Sequence, residues 1–412
     1  MFLTRIALSV ASTLVAVGTV TAQSRCTLAA SGGDDAPALL RAVRSCTTTT
    51  IPKGTTLNIG TRMNMTGLTD KRIQLEGTLR FDPDIPYWTG VGLNLASSSP
   101  RLTSIVRTDS SSHSRLRSRF GFWEERILYS QEAGLLTELA RQAWYDAFAS
   151  NSTLLRPIVL TIFQASNVLV EDITYVNGPE WHNLVNEANG VVFNNIRINA
   201  GSTSSHTAKN TDGWNIYRSD DVTIRNSVIV NGDDCVAFKP NATNVLVENL
   251  DCTGSHGISV GSLGQFPGMF DVVQNVLAKN IKMSNAQNGA RIKAWAGPNV
   301  GSGIVQNITF DGFVESKVDN PVVIDQCYMT DADACAEFPS NTFIQDIVFR
   351  NISGTSTGSV VANLKCSPDG RCTNIEVDDF SLSAPSGNTQ FSCSNVVLTG
   401  TAADLFPECS ET

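Results

Sequence analysis

Histidine is scarce in this chain of 412 residues, with only 4, and the 30 Lys and Arg are outnumbered by 39 Asp and Glu. The net charge of −9 leaves no basic surface of the kind that nucleic-acid binding rests on, and it argues against a general attraction to polyanions. An anionic ligand would have to be met by a few local cations. No run beyond residue 22 approaches the ~18 apolar residues that a membrane span requires. Also missing is any Pro/Ser/Gly-rich linker or low-complexity tract, so one long domain over residues 23–412 is expected instead of several short ones.

What is there begins with an export signature. Residues 1–22 carry one positive charge at Arg5, an apolar run from Ile6 to Val20, and the small residues Thr21 and Ala22, the order of a secretory signal peptide. The apolar run is too short for an anchor, so an extracellular protein is expected. In an exported chain, 10 cysteines favour disulfides over metal sites or free thiols. Joining sequence neighbours gives Cys26–Cys46, Cys235–Cys252, Cys327–Cys335, Cys366–Cys372 and Cys393–Cys409. Glycosylation sequons begin at Asn64, Asn151, Asn241, Asn307 and Asn351.

A six-residue pattern, apolar at its first, third and sixth places and often Asn or Asp at its fifth, starts at residues 168, 191, 222, 245, 276, 308, 347 and 375. Short β-branched strands at intervals of 23 to 39 residues, with Asn and Gly between them, predict an all-β solenoid whose coils each need the next to cover their apolar face. Leucine-rich repeats share the period, but their Leu/Asn consensus is absent. Residues 34–46 form the best amphipathic helix, with Asp34 or Asp35 as cap and Leu39, Leu40 and Val43 on one side; it would close the open end of the solenoid. Residues 92–143 are Ser- and Arg-rich without the rhythm, and read as a long polar loop or an error of the gene model.

Asp212 in "NTDG", Asp234 in "GDD" and His256 in "GSHG" are each 22 residues apart. If one coil is that long, they stack at one angular position. Gly232, through a bulge or a positive φ, would turn both Asp233 and Asp234 to that side despite the pleat. Three close carboxylates cannot all ionise normally, so one is held protonated as a general acid while others activate water. That division suits inverting glycoside hydrolysis; calcium binding by the same acids is the rival. Arg291 and Lys293, two apart on a strand, share a face and could grip a substrate carboxylate or form salt bridges to the Asp residues.

"NTDG", "GDD", "GSHG" and "RIK", in this order on a β-solenoid, resemble the polygalacturonases of glycoside hydrolase family 28. The resemblance implies a right-handed parallel β-helix and inverting hydrolysis of α-1,4-galacturonosyl linkages in polygalacturonate, the acidic polysaccharide of pectin. It implies no metal or cofactor, and a monomer is expected. It makes Asp233 the general acid, Asp212 with Asp234 the pair that deprotonates water, and His256 the support of the acid. Arg291, Lys293 and Tyr328 would hold galacturonate, with Asn210 and Asn215 beside them. The chain departs from the family at Asn215, where the motif usually carries Asp, which raises the alternative of an inactive carbohydrate-binding solenoid. "NTDGW", "CVAFKPN" and "ARIKAWAG" look like fungal exo-acting members, with an endo-polygalacturonase or a rhamnogalacturonan-type hydrolase as alternatives. The rhamnogalacturonan hydrolases, however, lack the "GSHG" histidine. Pectate lyases, which share solenoid and substrate, would instead depend on calcium.

Overall fold

The structure, a computed structural model, describes residues 25–90, 104–107, 125–138 and 141–410. The expected signal peptide lies outside the described residues, as does much of the segment 92–143. Among the described residues the chain winds into two parallel sheets of 16 and 11 strands, in which each strand pairs with those one coil before and after it. Parallel crossovers of this kind are right-handed, and the fold is a right-handed parallel β-helix.

The repeat seen in the sequence is the register of the larger sheet. Val168 pairs with Val191, then Val222, Val245, Val276, Ile308, Ile347 and Ile375 in turn, the first residue of every hexapeptide. A slip of one residue would expel the whole buried set, so the apolar pattern fixes the stacking. The fifth place has its own reason. Asp172, Asn195, Asn226, Asn249, Asn280, Gly312, Asn351 and Asp379 all have φ between 49° and 73°, the left-handed conformation that Asn, Asp and Gly adopt most readily. Each kinks the chain within a strand of the larger sheet, except Asn195, which separates two short ones. Their side chains climb from coil to coil, with the Asn249 amide donating to Asn226 Oδ1 at 3.1 Å and Asn280 to Asn249 Oδ1 at 3.2 Å. Inside, Phe310 stacks on Phe349 one coil away with centroids 5.1 Å apart.

The helix Ala36–Ser45 covers the first coil as expected, burying Ala36, Leu39, Ala42 and Val43, while Leu40 is only partly covered. Its N-cap is Asp35, but that side chain caps nothing; it receives the Ser31 and Asn58 amides, and Asp34 receives the Ala36 amide. All five expected disulfides are present. The polar-loop reading of 92–143 is corrected where the structure describes it. Ser104–Arg107 joins Met63–Thr66 to Leu160–Phe163, and Glu125–Glu138 pairs with Ser166–Val176, so the coils continue there. A strand held on both sides by backbone hydrogen bonds does not need the side-chain alternation that was looked for.

Candidate active site

In the smaller sheet, Trp214 pairs with Val236, Val236 with Ile258, and Ile258 with Ala290. Counting back two residues from each puts Asp212, Asp234, His256 and Asn288 at one level on consecutive coils. The 22-residue spacing is therefore one coil, as the sequence suggested. The acid pair is not in a strand. Asp233 and Asp234 lie in the connection between Asp220–Val230 and Val236–Phe238, so no pleat separates them. The expectation for Gly232 is corrected. Its φ is not positive; it is needed because a Cβ there would come within 2.5 Å of the Ala208 carbonyl oxygen on the coil below. What holds the connection is Asn231, whose buried amide donates to the carbonyls of Thr211, Asp233 and Asp234 at 3.0 to 3.1 Å.

Carboxylate oxygens of Asp212, Asp233 and Asp234 come within 4.8 Å of one another. Asp234 is fully enclosed. Its Oδ1 accepts from Arg291 Nη2 at 2.6 Å and from Ser259 Oγ at 2.7 Å, and its Oδ2 accepts from Lys293 Nζ at 2.8 Å. Asp233 is the more open. Its Oδ1 lies 3.3 Å from His256 Nδ1 and accepts the Asp234 amide, and its Oδ2 accepts from Asn210 Nδ2 at 3.2 Å.

These surroundings divide the three acids electrostatically. Burial, reinforced by the charge of Asp233, pushes the Asp212 carboxyl well above the usual range. Burial would do the same to Asp234, but Lys293 and Arg291 overcome it and hold that carboxylate well below the range. Burial is the largest influence on Asp233 and would raise it, but the hydrogen bond and charge of His256 together with the Asp234 amide lower it on balance. Of the three, Asp212 thus holds a proton most strongly and Asp234 least. Such a set suits calcium poorly: that ion wants six to eight oxygens, and here one carboxylate is already neutralised by two cations and burial favours the neutral form of another.

The sequence model of glycosyl hydrolases family 28 matches residues 43–403. The chain belongs to that family. This family 28 hydrolase is 40% identical over 389 residues to an exopolygalacturonase of Cochliobolus carbonum, covering 90% of this chain and 83% of that one. It is 38% identical to a probable exopolygalacturonase B of Neosartorya fischeri over 87% of its own length and 77% of the relative's. Among solved structures, an endo-xylogalacturonan hydrolase from Aspergillus tubingensis superposes with a TM-score of 0.82 at 34% identity, covering 94% of this chain and 99% of that one.

The fold of the family 28 hydrolase brings the expected residues together unequally. Asp212, Asp233, Asp234, His256 and Asn210 form one contact network. Arg291 and Lys293 join it as buried ion-pair partners of Asp234, the salt-bridge alternative, with their cations turned first to the protein. Tyr328 is half-buried beside them, its ring 5.2 Å from Lys293 Nζ and edge-on to Trp295. Asn215 shares the outward column of Ala237, Ser259 and Arg291, yet it touches none of the acids, and neither atom of its fully buried amide has a partner.

Three contributors escaped the sequence reading. Ser259 links Asp234 to Arg291, and only the register Ser259↔Arg291 discloses it. Lys239, whose charge reaches Asp212 and Asp234, has its ammonium 5.6 Å from the Trp181 ring centroid and makes no ion pair among the described residues. Arg156, buried far back in the sequence, donates to Asn210 Oδ1 at 2.8 Å. "CVAFKPN" could have flagged Lys239 as a cation two residues beyond an outward-facing position; nothing in "LRPIV" flagged Arg156.

Proposed function

We propose that the protein hydrolyses α-1,4-galacturonosyl linkages of polygalacturonate from chain ends, releasing galacturonic acid. The observation that carries the reading is the Asp212, Asp233 and Asp234 cluster with His256 against Asp233, in a chain whose relatives are named exopolygalacturonases. Asp233, the most open of the three, meets the glycosidic oxygen as general acid. A uronate in the cleft raises the proton affinity of the carboxyl it touches most, which draws the shared proton from Asp212 to Asp233 and frees Asp212 to join Asp234 in orienting water.

Inversion is favoured because Asp234, the carboxylate that stays ionised throughout, is not free to attack. Both oxygens of Asp234 are committed to cations and Ser259, and such a strongly stabilised carboxylate is a poor nucleophile. The carboxylates stand closer than the ~6.5–9.5 Å usual for inverting pairs, which makes stereochemistry a direct test. Proton NMR of the first product is expected to show β-galacturonate; α-galacturonate formed first would refute the water mechanism. With Arg291 and Lys293 bound to Asp234, Lys239 on Trp181 is the cation that meets the substrate carboxylate.

A second reading, an endo-acting hydrolase of xylose-substituted galacturonan, is favoured by the superposition on the Aspergillus tubingensis enzyme. Digestion of polygalacturonate decides. Galacturonate monomer from the first minutes supports exo action; oligomers from xylogalacturonan with no release from polygalacturonate would replace it.

The protein is further proposed to be secreted and glycosylated, on the strength of its N-terminal segment, its five disulfides and the exposed Asn64, Asn151, Asn307 and Asn351. A mass shift of the culture-medium protein on glycosidase treatment is expected. No helix among the described residues is long and apolar enough to cross a membrane.

A further inference from the structure

We infer that Arg156 is a positioning residue for the acid Asp233, acting through the side-chain amide of Asn210. The inference rests on the role proposed for Asp233. Arg156 is 3% exposed, and its guanidinium carbon lies 3.6 Å from the centroid of the Phe148 ring, so the group is fixed in its plane. Its Nη1 donates to the carbonyls of Pro179 at 2.9 Å and Lys209 at 2.7 Å, while Nη2 donates to Asn210 Oδ1 at 2.8 Å.

An amide is two-sided, and its orientation is set by whatever one side must bind. A cationic donor on Oδ1 leaves Asn210 Nδ2 pointing the other way, at Asp233 Oδ2 3.2 Å off. Asn210 stands at φ 57° on the connection before Asp212, where no strand fixes it. Arg156 also fastens the backbone of that connection through Lys209. Three separate segments, around residues 156, 179 and 210, are thus tied behind the most exposed of the three carboxyls.

The charged groups around this chain are accounted for. Asp212, Asp234 and His256 face Asp233; Lys239 and Lys293 face Asp212 and Asp234; Glu180, Tyr145, Asp212 and Asp233 all act on the charge of Arg156, which Arg156→Lys retains. Burial raises Glu180 to about 7, against the pull of Arg156, so in acid solution it is neutral and does not compete for the guanidinium. The hydrogen bond from Asn210 favours the ionised form of Asp233. Losing it keeps Asp233 protonated to higher pH, and the alkaline limb of the activity profile, which reports the acid, moves up.

The test is a double-mutant cycle on the full-length secreted enzyme with polygalacturonate. Arg156→Lys keeps the charge but cannot span two carbonyls and an amide; it is expected to lower kcat about 10-fold with KM within about 2-fold, and to shift the alkaline limb up by about half a pH unit. Asn210→Ala, which leaves Arg156 on its carbonyls, is expected to give the same limb shift, and the double variant to move the limb no further than Asn210→Ala alone. Additive limb shifts, or an unmoved limb in Asn210→Ala, would overturn the inference even where Arg156→Lys fails to fold. Should the wild type release no galacturonate, the proposed function fails separately, and carbon-13 titration of the Asp233 carboxyl in wild type and Asn210→Ala still decides: a higher midpoint in the variant supports the relay, an equal one refutes it.

Discussion

Glu315 ends inside the β-helix, in register with Met283 on one side and Gly354 on the other, and neither of its carboxyl oxygens has a partner. It fits only because Gly289 has no side chain, since a Cβ there would overlap the carboxyl. Burial holds its pKa well above the ordinary 4.5. The folded protein therefore keeps a proton that the unfolded chain releases above pH 4.5, so stability falls as pH rises from that point towards the raised pKa. Each unit in this window costs about 1.4 kcal/mol. Glu315→Met, the residue type of the coil below, removes the group. With an unfolding entropy of ~2.1 cal/mol/K per residue over 412 residues, the variant should gain on the wild type by about 1.6 °C per pH unit in thermal unfolding scans from pH 4.5 to 6.5. Asp212 and Glu180 shift in the same direction but are common to both proteins and cancel. A difference in midpoint that stays constant across this range would refute the buried-acid reasoning.

The remaining predictions concern the cleft. Asp233→Asn should lower kcat at least ~10³-fold on polygalacturonate while leaving the thermal midpoint nearly unchanged; retained turnover would remove Asp233 from its role. Arg291→Ala exposes the buried Asp234 charge to Lys293 alone and should cost about 3 kcal/mol in urea unfolding, besides any loss of binding. A variant with raised KM and undiminished stability would show that Arg291 serves the substrate first. Lys239→Met should raise KM about 10-fold with kcat little altered and flatten the dependence of KM on salt; an unchanged KM would assign carboxylate recognition elsewhere.

Much of this molecule is written in local pattern. The hexapeptides set the register because each apolar triplet can be buried only against the next, and the Asn, Asp or Gly at the fifth place is demanded by a left-handed φ that few other residues tolerate. The 22-residue interval that aligns Asp212, Asp234 and His256 follows from the same coil length. What the tertiary structure decided was partnership. Whether Arg291 and Lys293 face substrate or protein depends on where Asp234 points, and that is fixed by Asn231 in its own connection and by Ser259 from the next coil. The purpose of Gly232 lies in the Ala208 carbonyl below it and not in its own φ. Arg156 is more than 50 residues from Asn210 along the chain and beside it in space. Sequence determines which side chains a coil presents, since that needs only periodicity and backbone preference; which of them meet, and hence which acid carries the proton, is set by contacts between coils that no local pattern encodes.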